Sequence, residues 1–245
     1  MPCRSRRPSA TSSGSIPTDN WWRRPGPWAS CSATRTRRTW RPQRVSGTVS
    51  AVPLLELDAV PLPLTGAGLF GVDVPLEVEI GSGKGRFLVA WAELHRDRGF
   101  LGVERAAKYL AIAVRRATRA GLDNLRFVRT TAEDLLFRCV APGSLAGLHV
   151  YFPDPWPKKR HRKRRFFTRA NVDRAAWALA PGALLRVKTD HLEYAADIAT
   201  VLEACPLLTP VAGEEAFFGL PETSFELKYA REGRPVVRLA YRRLP

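Results

Sequence analysis

At 245 residues with 45% hydrophobic side chains, the chain is long enough to bury a substantial core, and its length points to one principal domain. No stretch approaches the roughly 18 uninterrupted apolar residues that a helical membrane span requires. A formal charge of +16 with a pI near 10.6 is foreign to an ordinary metabolic enzyme and points to a polyanionic partner, nucleic acid first, through counterion release from phosphates.

The first 50 residues carry ten arginines, no lysine and one acid, Asp19, so +9 of the charge lies there and +7 lies on residues 51–245. Six prolines and four of the seven tryptophans (Trp21, Trp22, Trp28, Trp40) fall in the same segment, without helical or strand periodicity. It reads as a disordered tail with three origins, ranked as translation from upstream of the true start, a transit peptide, and an RNA-binding arm. Its prolines spoil the amphipathic helix that a transit peptide needs. Residues 51–75 are a lead-in, and 76–245 form the main domain.

From residue 76 short apolar runs alternate with longer helix-patterned segments, the mark of β-α-β units and a parallel sheet. Strands are predicted over 76–80, 100–103, 125–129, 148–152 and 183–188. Helices are predicted over 86–95, 106–120, 171–179 and 193–204, the third ended by Ala180-Pro181-Gly182. Two strand-like stretches, 224–230 and 236–241, close the domain. The cysteines (Cys3, Cys31, Cys139, Cys205) and histidines (His95, His149, His161, His191) are scattered without metal-ligand spacing, which predicts a reducing compartment and no metal.

The first strand runs into Gly81-Ser82-Gly83-Lys84-Gly85, where alternate glycines permit a sharp turn and close approach of a ligand. A tight strand-to-helix turn alone would also use them. Glu104 closes the second strand 21 residues after Gly83, where a carboxylate can accept both hydroxyls of a ribose. The loop lacks the G-x-G-x-x-G spacing of pyrophosphate binders, and the acid before it, Glu79, suits a cofactor that ends in an ammonium group. That pattern favours S-adenosylmethionine. Glu77 lies on the same strand face as Glu79, and two buried acids there require partners.

At the end of the fourth strand stands Phe152-Pro153-Asp154-Pro155-Trp156, a stiff acid beside an aromatic ring, suited to holding an unstacked guanine. Lys158-Lys159-Arg160-His161-Arg162-Lys163-Arg164-Arg165 follows, seven strong bases in eight residues, read as phosphate contacts that deliver nucleic acid to the pocket. Guanine N7 already has an in-plane lone pair, so Asp154 and Asp190 would orient the base and offset its developing positive charge without abstracting a proton.

With these segments in this order, together with Phe100-Leu101-Gly102-Val103-Glu104, Lys188-Thr189-Asp190 and Thr223-Ser224-Phe225-Glu226, the chain resembles the bacterial tRNA (guanine-N7-)-methyltransferase family, TrmB, over residues 69–244. The resemblance implies an α/β, Rossmann-like methyltransferase fold: a mostly parallel sheet, helices on both faces and an antiparallel C-terminal strand. It implies a cytoplasmic enzyme, monomer or homodimer, that uses S-adenosylmethionine and no metal to methylate a variable-loop guanosine of tRNA, without a membrane partner. Glu79, Gly81, Gly83, Glu104, Thr131 and Asp154 would bind the cofactor, Asp154 being also the active-site acid. Lys158, Asp190, Thr223, Ser224, Phe225 and Glu226 would contact the substrate. Asp190 could instead cap the following helix. The sequence departs from the family at Thr130-Thr131-Ala132-Glu133, where an Asp or Asn usually meets the adenine, so Thr131 or Glu133 takes that contact.

Overall fold

The computed structural model describes residues 54–245; the expected tail lies outside the described residues. The elements are β1 (Leu54–Leu55), α1 (Gly66–Phe70), β2 (Leu76–Ile80), α2 (Arg86–Leu94), β3 (Gly99–Val103), α3 (Ala107–Arg119), β4 (Leu125–Val128), α4 (Ala132–Arg138) and β5 (Leu145–Tyr151). They continue with α5 (Arg169–Ala178), β6 (Leu179–Thr189), α6 (Leu192–Glu203), β7 (Leu208–Val211), α7 (Gly213–Phe217), α8 (Ser224–Arg231) and β8 (Val237–Arg243). Threonine side chains cap the starts of α1, α4, α5 and α8 by accepting a backbone N–H from the first turn, which settles donors the helix leaves free.

The eight strands lie in the order β1-β4-β3-β2-β5-β6-β8-β7. Every neighbouring pair is parallel except those of β8, which runs antiparallel to both β6 and β7. The expected mostly parallel sheet with an antiparallel C-terminal strand is present. From β2 the chain steps outward to β3 and β4, then returns to β5 on the other side of β2. The crevice at the carboxyl ends of β2 and β5 is therefore the topological switch point, where open α/β sheets bind ligands.

Apolar side chains of α2 and α3 pack with Phe100 and Phe127 in one cluster, and those of α4, α5 and α6 pack with Val78, Leu148 and Val187 in another. Alternation along β2 sends Leu76, Val78 and Ile80 into the second cluster, so Glu77 and Glu79 point the other way. Glu77 has the partners its burial requires: Trp91 Nε1 donates at 3.0 Å, His149 Nε2 at 2.8 Å and Arg98 at 2.5 Å. Burial pushes its carboxyl up, but the bonds from His149 and Trp91 and the charge of Arg98 outweigh burial and hold it at about 2. Burial lowers His149 and keeps it neutral, with Nδ1 accepting from the Tyr151 hydroxyl at 2.8 Å.

Several stretches differ from expectation. Residues Ser224–Arg231 form a helix and not a strand, because Thr223 and Glu226 make a reciprocal capping box that nucleates the first turn. Residues 179–182 do not end in a free turn; β6 begins at Leu179 opposite Leu145 and takes a register shift before Leu184 pairs with Gly147. The short helix α4, whose Thr131-x-x-Asp134 start is a cap signal, was not expected either.

Candidate active site at the carboxyl edge of the sheet

The glycine loop between β2 and α2 takes left-handed backbone at all three alternate positions, with φ of 74° at Gly81, 53° at Gly83 and 69° at Gly85. The three glycines serve different ends. A Cβ on Gly81 would meet nothing within 4 Å, and one on Gly83 only a neighbouring carbonyl at 3.9 Å, so both leave an open approach for a ligand. A Cβ on Gly85 would lie 2.8 Å from that of Ala113, so this glycine lets α2 pack closely on α3.

Glu104 leaves β3 and reaches back across the loop, accepting from the backbone N–H of Gly83 at 3.0 Å and of Ala106 at 2.7 Å. It thus braces the glycine turn while keeping unused lone pairs toward solvent. Glu79 is different. It is 4% exposed, and its Oε2 has no hydrogen-bond partner among the described residues. Burial drives its carboxyl up to about 8, against the pull of the Lys188 charge and with a further push from Glu104. A buried acid left without a donor beside an open glycine loop can receive a positively charged group.

Across the crevice, the loop after β5 is strained and braced. Phe152 and Trp156 hold φ of 52° and 40°, conformations that cost a non-glycine residue about 1–3 kcal/mol each. Asp154, between Pro153 and Pro155, is exposed. The Phe152 N–H donates to the Lys188 carbonyl at 2.7 Å, and its ring packs on Phe225 and Tyr229 at 5.3 and 5.5 Å. Trp156 is flanked by the Arg164 guanidinium at 4.9 Å and the His161 ring at 5.8 Å.

The basic run does not act as one unit. Residues Lys159–Arg164 form a 3-10 turn with exposed bases, and Lys158 is exposed beside it. Arg165 turns inward: it is 7% exposed, donates from Nε to the Pro155 carbonyl at 2.7 Å, pairs with Asp197 at 2.5 Å and stacks on Tyr194 at 4.4 Å. It clamps the peptide that follows Asp154. In the sequence it is indistinguishable from its six basic neighbours, and only the facing Tyr194 and Asp197 of α6 single it out.

The remaining expected residues gather around the same loop. Asp190 bonds Arg234 at 3.0 Å, while the cap of α6 falls to His191, whose Nδ1 accepts from the Tyr194 N–H at 3.2 Å. Phe225 is half-exposed against Phe152, and Ser224 is exposed next to it. Thr223 and Glu226 are buried in the capping box; the Glu226 carboxylate also takes Lys188 at 2.9 Å and Arg238 at 3.1 Å. Lys188, itself buried, lies 4.7 Å over the Tyr151 ring, so it ties β6 to α8. Thr131 caps α4, accepting from the Asp134 N–H at 3.1 Å and donating to its carboxylate at 2.9 Å. Glu133 accepts from Asn171 at 3.2 Å. Among the described residues, no helix is long and apolar enough to cross a membrane.

Comparison with known proteins agrees with this arrangement. A family model described as "Putative methyltransferase" matches residues 73–239. The tRNA (guanine-N(7)-)-methyltransferase of Leifsonia xyli subsp. xyli is 40% identical over 196 residues, covering 78% of this chain and 82% of that protein. That of Methylococcus capsulatus is 39% identical over 181 residues, covering 72% and 78%. Among solved structures, the 16S rRNA methyltransferase KamB superposes with a TM-score of 0.52 at 19% identity, covering 72% of this chain and 91% of that one. The antibiotic-resistance methyltransferase Kmr reaches 0.50 at 18% identity, covering 74% and 93%. Both share the fold. By the length and identity of its match to curated relatives, the chain belongs to the tRNA (guanine-N(7)-)-methyltransferase family.

Proposed function

We propose that this chain transfers a methyl group from S-adenosylmethionine to N7 of a variable-loop guanosine in tRNA, as a cytoplasmic enzyme. The observation that carries the reading is the convergence, at one switch-point crevice, of an unpartnered buried carboxylate beside an open glycine loop with a rigid, exposed acid on the facing strand end.

The residues fit the donor. Glu79 Oε2 lacks a donor and answers an ammonium group, Gly81 and Gly83 leave backbone open to a bound molecule, and Glu104 has lone pairs left for ribose hydroxyls. Thr131 stands at the carboxyl end of β4, where its hydroxyl oxygen meets the adenine in place of the usual carboxylate or amide. When bound, the cofactor supplies an electrophilic methyl group that the in-plane lone pair of N7 accepts without prior loss of a proton.

The protein's work is therefore orientation and charge compensation. Asp154, held by two prolines and by the Arg165 clamp on Pro155, lies between cofactor and target and offsets the positive charge that methylation places on guanine. Asp190 adds a second carboxylate; its ion pair with Arg234 is partly exposed and opens at little cost. Ser224 and Phe225 present the substrate side of α8, whose start is built by Thr223 and Glu226. Lys158 reaches a phosphate.

The test is nucleoside mass spectrometry of unmodified tRNA incubated with the protein and labelled methyl donor. Label in 7-methylguanosine, with chain cleavage by borohydride and aniline at that base, supports the reading. Label on an exocyclic amine would move the chain to amino-group methylation, and cofactor binding without transfer would leave a non-catalytic RNA-binding relative.

A further inference from the structure

Among the described residues, Arg96, Arg98, Arg138, Arg169, Arg234 and Arg238 each reach a carboxylate. One surface gathers bases that do not. Lys84, Arg86, Lys108, Arg115, Arg116 and Arg119, on the glycine loop, α2 and α3, have no carboxylate within ion-pair distance among the described residues. The sequence contains no acid from Arg105 to Leu122.

The helix geometry concentrates these charges. Lys108, Arg115 and Arg119 are spaced by seven and four residues, so they share one face of α3, and all three are exposed. Arg116 leans back and donates to the Lys84 carbonyl at 2.9 Å, joining that face to the glycine loop. Two shallow grooves meet at Arg86. One runs past Arg116 and Arg119 with Glu93 and Glu222; the other runs past Ser224, Lys228 and Arg231 with Glu232. Five bases on this path, Arg86, Arg116, Arg119, Lys228 and Arg231, face three acids, Glu93, Glu222 and Glu232, the last paired with Lys228 at 3.7 Å and Arg234 at 3.3 Å, so the net charge along the path is positive.

We propose that this surface is a second phosphate-binding face for the RNA, on the opposite side of the target crevice from the turn at Lys159–Arg164. The inference rests on the reading of the chain as a tRNA methyltransferase. The first basic cluster follows β5; this one follows β2 and β3, on the other side of the switch point. The groove system begins at Ser224, a residue placed on the substrate side, and continues to Arg119. A folded RNA laid over the crevice is thus gripped on both flanks, and its target base is held between them. Phosphate contacts of this kind set register and carry no base information.

The test is the salt dependence of full-length unmodified tRNA binding for Arg115→Glu/Arg119→Glu, read by fluorescence anisotropy, beside an Arg138→Glu control on α4. Both variants replace exposed side chains, and calorimetric titration of S-adenosylhomocysteine checks that the cofactor side is intact. The double variant is expected to weaken tRNA binding about tenfold and to flatten the log–log salt slope by about two. The control is expected to change neither by more than a fraction of that. Equal weakening by the control would reduce the effect to net charge and overturn the assignment, as would an unchanged slope in the double variant. Failure of wild-type protein to methylate N7 would instead sink the catalytic reading, so the two outcomes are separable.

Discussion

Glu79→Gln separates what the site does from what the fold prefers. The Glu79 carboxyl is raised from 4.5 to about 8 because it is buried without a donor. An acid whose folded pKa exceeds its unfolded one stays protonated in the folded chain while the unfolded chain ionises, so the cost opens above pH 4.5 and saturates above about pH 8. At about 1.36 kcal/mol per unit, the penalty is about 3 kcal/mol at pH 7, about 4 kcal/mol at pH 8 and about 5 kcal/mol well above it. A glutamine removes that penalty but leaves a buried amide short of partners, which returns about 1–3 kcal/mol. The net expectation for the cofactor-free protein is a stabilisation of about 1–3 kcal/mol at pH 8, raising the thermal midpoint by a few degrees, that shrinks as pH falls and reverses sign before pH 4.5, where only the amide's cost remains. On the proposed pairing of Glu79 with the cofactor's ammonium, the same substitution is expected to weaken cofactor binding at least tenfold. Because the wild-type carboxyl must ionise to meet that charge, binding near neutral pH releases a proton from it, visible as a dependence of calorimetric enthalpy on the ionisation enthalpy of the buffer. A pH-independent stability gap, or a binding enthalpy blind to buffer, would refute the reasoning.

Asp154→Ala is expected to lower kcat at least about 100-fold while cofactor affinity changes far less, because the acid faces the target; single-turnover methylation with parallel cofactor titration checks this, and undiminished turnover removes Asp154 from the mechanism. Arg165→Ala breaks the clamp on Pro155 and costs about 1–3 kcal/mol of stability; kcat is expected to fall more than KM for tRNA rises, whereas a pure KM effect would return Arg165 to the phosphate contacts. Arg165→Lys keeps the charge without the fork and should recover stability better than kcat. Thr223→Ala dismantles the capping box and is expected to cost about 1 kcal/mol in chemical denaturation, with Phe225 losing its seat on Phe152; no change would mean α8 is held by packing alone.

The parallel core of this fold was legible in the residues because each β-α unit announces itself: a buried strand must be apolar on both faces, and each helix must repeat its apolar positions at helical spacing. The glycine loop, Glu79, Glu104 and Asp154 stand at strand ends around one crevice, a placement that follows from the order of the strands along the chain. Residues Ser224–Arg231 form a helix where a strand-like stretch is predicted, and the local signal for it is the Thr223-x-x-Glu226 capping box. What no linear pattern could disclose is partnership. Glu77 and Glu79 are two residues apart on one face of β2, yet Trp91, Arg98 and His149 satisfy the first and nothing among the described residues satisfies the second. Arg164 and Arg165 are adjacent in a basic run, yet one lies against Trp156 at the surface and the other is buried beneath Pro155. Composition and spacing determined the kind of fold and where its chemistry would gather. Only the tertiary structure decided which charges are compensated inside the protein, because a side chain's partner comes from whichever element the sheet brings alongside.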